Sequence, residues 1–170
     1  VYLVGIIPGP KKTKKDQINR LLAHVVDDLQ NLWDPGFLIP TPSMPTGRRI
    51  RGALIPLVCD LPGGNEVAGA PDHNASMPCA YCKITLATLD NVEDPFDPRT
   101  CANARAHGES WRDAATEDAR EKLESQGGGR WSELMRLPYW DPVGYKVLDT
   151  MHMLLEGMAN RHCRKTWGMD

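Results

Sequence analysis

The sequence has no long apolar run, no signal peptide and no excess of positive charge. A helix needs about 20 consecutive apolar residues to cross a membrane, so a membrane span is excluded. The formal net charge is −2 over 170 residues. A domain that grips DNA through bulk charge is usually basic, so the composition gives no support for DNA binding. It does not exclude DNA binding, because phosphate contacts can be local and metal ions can carry positive charge.

The sequence also lacks a starting methionine and a stop signal after its last helical pattern. It begins inside an apolar run and ends at residues 167–170, directly after that pattern. We therefore expect the chain to be an internal part of a longer protein. There is no internal repeat and no low-complexity tract beyond the glycines at 127–129.

The five cysteines are odd in number and unevenly spaced. In a chain without a secretion signal, close cysteine pairs tend to bind metal rather than form disulfides. The C-x-x-C of Cys79 and Cys82 is half of a tetrahedral zinc site. Inert thiols and a redox pair are the alternatives, and the loop-rich surroundings argue against the redox pair. The candidates for the other half are His73, His152, His162 and Cys163.

The hydrophobic pattern predicts a mixture of strands and helices. Residues 1–7 are expected to form a buried strand, and residues 16–33 a helix with Asp16 as its N-cap. The apolar stripe of that helix comprises Ile18, Leu21, Leu22, Val25, Leu29 and Leu32. Residues 48–60 are expected to form a strand that ends at Asp60.

The rest of the chain predicts shorter elements. A short helix is expected near 65–70, irregular chain over 71–100, and helical structure over 102–125. A further short helix is expected at 131–137, a strand at 143–148, and a helix from 149 to 167. The residues of this last helix that are available for a core are Met151, Leu154, Leu155, Met158 and Ala159.

Two more places in the sequence have residues suited to chemistry. Asp60 follows a buried strand, where α/β folds place their active sites, and its carboxylate can bind Mg²⁺. A turn or helix-cap role explains Asp60 equally well. Asp149 and His152 form a D-x-x-H at the start of a helix. Here Asp149 can be a plain N-cap and His152 a core histidine.

Several segments, in order along the whole chain, resemble the transposases of fungal DNA elements. These are the CACTA-related and Plavaka-type elements of the Kyakuja–Dileera–Zisupton group. The segments that carry the resemblance are VGIIPGPKK (4–12), ALIPLVCDLP (53–62), the C-x-x-C (79–82), RWSEL with LPYWDP (130–142), DTMH (149–152) and RHCR through WGMD (161–170).

The resemblance implies an α/β fold, namely a partial RNase H-like core of the DDE type with a zinc-bearing, helix-rich insertion. Residues 1–70 would be the core portion, 71–142 the insertion, and 143–170 the helical segment with the D-x-x-H. Asp60 would be the second catalytic carboxylate, with the first upstream and the third, a Glu, downstream of this chain. The structural Zn²⁺ would be held by Cys79, Cys82, His152 and His162.

The function so implied is cut-and-paste DNA transposition in the nucleus. Mg²⁺ would serve strand cleavage and strand transfer, the partners would be transposon ends and target DNA, and the full-length protein would work as a homo-oligomer. This chain alone is expected to be inactive. The basic clusters are candidate phosphate contacts or plain solvated surface: Lys11, Lys12, Lys14 and Lys15; Arg48, Arg49 and Arg51; Arg161, Arg164 and Lys165. The alternatives are a non-catalytic zinc-binding or DNA-binding module derived from a transposase, and an unrelated metal-dependent hydrolase.

Overall fold

The structure is a computed structural model that describes residues 3–7, 9, 13, 15–91 and 96–169. These residues form helices and two small two-stranded sheets, which confirms a mixed α/β class. In chain order the elements are α1 (Lys15–Trp33), β1 (Phe37–Thr41), β2 (Met44–Ile50), β3 (Leu57–Cys59), α2 (Leu61–Ala68), α3 (Cys101–Asp113), α4 (Glu117–Ser125) and β4 (Lys146–Leu148). Short 3₁₀ turns lie at Leu86–Thr88 and Glu133–Arg136. A C-terminal helix with π-type winding covers Met151–Ala159 and His162–Thr166.

The chain divides into two compact units. The first comprises Val1–Ile55 and Ser132–Trp140, and it contains α1 and the antiparallel hairpin of β1 and β2. The second comprises Pro56–Trp131 and Asp141–Asp170, and it contains the parallel pair of β3 and β4. Among the described residues, no helix is long and apolar enough to span a membrane.

In the first unit, α1 is held by one apolar face and one polar flank. Ile18 and Val26 lie two turns apart on the helix, and both are buried. The Arg136 guanidinium in the 3₁₀ turn contacts the Asp27 carboxylate at 2.6 Å. The predicted apolar stripe is only partly confirmed: Ile18 is buried, Leu21 is exposed, and the fully buried Val26 was not part of the predicted stripe.

In the second unit, α2 begins directly after β3 and closes at Gly69, whose φ of 71° is left-handed. The stem of Lys146 in β4 lies against Gly64 of this helix. The Lys146 ammonium donates a hydrogen bond to the Asn65 side chain, and both residues are buried. A buried lysine therefore joins β4 to α2.

Two expectations at the start of the chain are wrong. Leu3–Ile7 form no strand with any described segment and are exposed, because an apolar run becomes a strand only where a neighbouring strand takes up its main-chain hydrogen bonds. Residues 1 and 2 of that run lie outside the described residues. Helix α1 begins at Lys15, so Asp16 lies in its first turn and is not its N-cap.

Two later expectations are also corrected. The strand expected over 48–60 is two strands, because β2 ends at Ile50 and β3 begins only after Pro56, which has no main-chain donor. The C-terminal helix forms as expected, but its apolar residues are exposed: Leu155 by 64% and Met158 by 63%. Helical spacing puts residues on a common face, and only a packed neighbour buries that face.

Candidate functional site

The carboxyl ends of β3 and β4 lie side by side. The two strands pair in parallel, with Cys59 opposite Leu148, and the Asp149 amide continues the pairing by donating to the Cys59 carbonyl at 2.8 Å. Asp60 and Asp149 therefore follow immediately after two neighbouring strand ends. This is the edge at which open α/β sheets place their ligands.

Asp60 has a structural role that the geometry makes plain. Its Oδ1 accepts a hydrogen bond from the Gly63 amide at 2.9 Å, which caps α2. A Cβ at Gly63 would lie 2.5 Å from that oxygen, so a larger residue there would displace the Asp60 carboxylate from this position. Within the described part of the chain, Asp60 Oδ2 has no hydrogen-bond partner. The carboxylate therefore caps the helix with one oxygen and leaves the other for a ligand.

Asp149 and His152 form a carboxylate–imidazole pair. Asp149 Oδ2 lies 2.5 Å from His152 Nδ1, and Asp149 Oδ1 accepts from the Met151 amide at 3.2 Å. The hydrogen bond from His152 lowers the pKa of Asp149, and the same bond raises the pKa of His152. Both side chains are partly exposed, so a ligand can reach them.

These three polar side chains line one cavity of about 320 Å³. Asp60 lies close enough to His152 to contribute to the rise of its pKa, after the larger effects of Asp149 and Glu156. The remaining lining is apolar and consists of Leu61, Pro62, Leu148 and Met153. The fold therefore brings Asp60, Asp149 and His152 to one cavity, although about half of the chain separates the first from the other two.

Cys79 and Cys82 form a separate group in the irregular segment. Cys79 Sγ accepts a hydrogen bond from the Tyr81 amide at 3.3 Å. Burial acts to raise the pKa of Cys79, but the hydrogen bonds from Tyr81 and Cys82 outweigh it and lower that pKa, whereas burial raises the pKa of Cys82. Amide donors to sulfur stabilise the thiolate, which is the form that binds zinc. The loop thus suits one half of a zinc site.

Arg99 holds this loop in place. Its Nε donates to the carbonyls of Cys79 at 2.8 Å and Cys82 at 3.1 Å. Its Nη2 donates to the carbonyls of Met77 at 3.1 Å and Gly127 at 2.6 Å. One guanidinium therefore fixes four main-chain oxygens that no helix or sheet satisfies.

The other predicted zinc ligands lie apart from the cysteine pair. The described residues contain no group of three or more His, Cys, Asp and Glu side chains placed to hold a metal. His152 lines the Asp60 cavity, and the His162 ring packs edge-on against the Trp167 ring at 4.7 Å. The assignment of His152 and His162 to zinc stays a prediction.

The basic clusters lie at the surface where the structure describes them. Arg51 pairs with Asp34 at 2.7 Å, and Arg49 donates to the Pro35 carbonyl at 2.8 Å. Arg48 is exposed, as are Arg161, Arg164 and Lys165 on the C-terminal helix. Lys11, Lys12 and Lys14 lie outside the described residues.

In comparisons with known proteins, no family model, no curated protein and no solved structure matches this chain.

The sequence reasoning missed Arg99 and Lys146 as organisers of the second unit. Nothing in the sequence around Arg99, which precedes the N-cap Thr100, predicts that its side chain hydrogen-bonds to the loop of Cys79 and Cys82. The lysine in the short strand pattern at 143–148 was a visible anomaly, because a charged residue in a buried strand needs a partner.

Proposed function

We propose that this chain is part of the catalytic domain of a DDE-type DNA transposase and that Asp60 is one of its catalytic metal ligands. One observation supports this most strongly: Asp60 directly follows a strand that pairs in parallel with a strand from much later in the chain. Adjacent parallel strands with a ligand carboxylate at their carboxyl ends suit an RNase H-like core. The ordered sequence segments that resemble these transposases add to it.

The Asp60 carboxylate at this edge suits Mg²⁺. That ion prefers carboxylate oxygens and keeps several waters or substrate phosphates in its shell. Asp60 offers such an oxygen, and the cavity beside it has room for water and a phosphate group. Bound there, the ion would lower the pKa of an attacking water and stabilise the leaving oxygen of the DNA strand. The other two carboxylates are expected from parts of the transposase outside this chain.

Residues of this chain would position the metal ligands and the DNA. The Gly63 amide holds the Asp60 carboxylate at the strand end. The loop fixed by Arg99 would hold structural Zn²⁺ through Cys79 and Cys82, and its thiolate-stabilising hydrogen bond suits that role. The exposed arginines of the hairpin would contact DNA phosphates, as would those of the C-terminal helix.

The test is DNA cleavage by the complete transposase, with Asp60→Asn as the variant. Asparagine is as good a helix cap as aspartate, so the fold is retained while a charged metal ligand is lost. We expect cleavage of labelled transposon-end DNA to fall about a hundredfold to a thousandfold, as is typical when a group that stabilises the transition state is removed. Asp90→Asn, an exposed change in a loop, is the control. Equal cleavage by the Asp60 variant and the wild type would refute the assignment.

A non-catalytic module derived from a transposase is the second candidate. It is favoured by the hydrogen bond from Gly63, because capping α2 already accounts for an aspartate at position 60. Under this function the Asp60 variant binds DNA and zinc as the wild type does, and the wild-type protein cleaves nothing.

A further inference from the structure

The contact between Asp149 and His152 leaves one ring nitrogen of the imidazole for another partner. Nδ1 is taken by the Asp149 carboxylate at 2.5 Å. In metal sites, a ligating histidine almost always donates its other ring nitrogen to a carboxylate, which fixes the orientation of the ring. The His152 side chain is 45% exposed and that of Asp149 32%. Surface ion pairs of this kind contribute little stability, so the pair has no evident structural role.

A second carboxylate–imidazole pair in the chain shows what distinguishes this one. His73 Nδ1 lies 3.0 Å from the carboxylate of Asp72, its neighbour in sequence. The Nε2 of His73 is already taken, because it lies 3.1 Å from Nδ2 of the Asn74 side chain. By contrast, His152 lines a cavity that Asp60 lines as well.

We propose that His152 Nε2 and the Asp60 carboxylate bind one divalent cation, with Asp149 as the residue that orients the ring. This inference rests on the proposed role of Asp60 as a metal ligand, and it names a further ligand of that site. Water or phosphate oxygens complete the coordination, as they do where protein ligands are few. In this arrangement the chain supplies two of the ligands, because Asp149 orients the ring and does not touch the cation.

The ligand set also disfavours Mg²⁺ relative to transition metals. Imidazole nitrogen suits zinc and other first-row transition metals, whereas Mg²⁺ prefers oxygen alone. A site with one nitrogen and one carboxylate therefore takes Mn²⁺ more tightly than Mg²⁺. The proposed site also places His152 with Asp60 rather than with the zinc half-site of Cys79 and Cys82.

The experiment is a titration of the metal-free chain with Mn²⁺, in which electron paramagnetic resonance measures the free ion. We expect His152→Ala and Asp60→Asn each to raise the dissociation constant at least about tenfold, and Asp149→Asn to raise it about tenfold. The matched control is His73→Ala, which removes the other carboxylate-paired histidine and is expected to leave the constant unchanged. In ¹⁵N-histidine-labelled chain, bound Mn²⁺ should broaden the ring signals of His152 and not those of His73. Excess Mg²⁺ should displace the Mn²⁺ only weakly.

Each other outcome has a distinct meaning. If Asp60→Asn weakens Mn²⁺ binding and His152→Ala does not, the inference fails while Asp60 stands as a metal ligand. If neither variant changes Mn²⁺ binding, the inference and the metal role of Asp60 both fail. If His152→Ala instead removes copurified zinc, as Cys79→Ser is expected to do, His152 belongs to the cysteine site and the inference is overturned.

Discussion

Replacing Arg99 by alanine is expected to lower the free energy of unfolding by about 3 kcal/mol. The guanidinium donates to four main-chain carbonyls, two of which belong to Cys79 and Cys82. A hydrogen bond from a charged donor contributes a net ~1.5–3 kcal/mol. Because two nitrogens carry all four contacts and the side chain is partly exposed, we count two bonds at the low end of that range.

The assay is urea unfolding followed by circular dichroism. With a slope of about 2 kcal/mol per molar urea, the loss corresponds to a midpoint lower by about 1.5 M. Arg99→Lys keeps the charge but cannot reach four carbonyls from one ammonium, so it should recover only part of the loss. The control is Arg164→Ala, an exposed change in the same unit, which should stay within about 0.5 kcal/mol of the wild type.

A local measurement separates the effect on the cysteine loop from general destabilisation. The Tyr81 amide donates to Cys79 Sγ, and it should exchange with solvent faster in Arg99→Ala while the amides of α1 do not. An unfolding free energy within about 0.5 kcal/mol of the wild type, with unchanged exchange at Tyr81, would contradict the role given to this arginine.

Three further predictions concern the second unit. Zinc that copurifies with the chain, measured by mass spectrometry, should be lost in Cys79→Ser and retained in Cys59→Ser. Loss of zinc in both variants would contradict the assignment of zinc to Cys79 and Cys82. Lys146→Ala should lower the free energy of unfolding in urea by about 3 kcal/mol, and Lys146→Met by about 1–2 kcal/mol. Both variants remove the donor to Asn65, but Met keeps most of the buried aliphatic stem. Equal losses in the two variants would contradict a stabilising role for the stem. Burial lowers the pKa of His107, so the folded chain binds this proton less readily than the unfolded chain. Its contribution to stability is therefore complete above about pH 6.5 and is lost as the pH falls through the lowered pKa. In His107→Gln, the free energy of unfolding should fall less between about pH 7.5 and 5 than it does in the wild type. An equal fall in the variant and the wild type would refute this role of His107.

Local pattern predicted those elements that local interactions can form. The helix at α1 and the helical segment now divided into α3 and α4 followed from spacing and propensity. The strand after position 50 was placed near its true end, because Asp60 and the turn after it interrupt the apolar run. The pattern did not predict that residues 3–7 would form no strand, since the missing requirement was a neighbouring strand, which no local signal reports.

For the candidate site too, part was predictable from the sequence and part depended on the fold. The sequence by itself determined which residues have side chains suited to metal binding: Asp60 after a strand, the thiols of Cys79 and Cys82, and His152 in its D-x-x-H. These are properties of side-chain chemistry and short spacing, so they need no fold. Only the tertiary structure decided which of them lie together. Parallel pairing of β3 with β4 brings His152 to Asp60, because main-chain hydrogen bonds between distant segments fix that register, and no local preference encodes it.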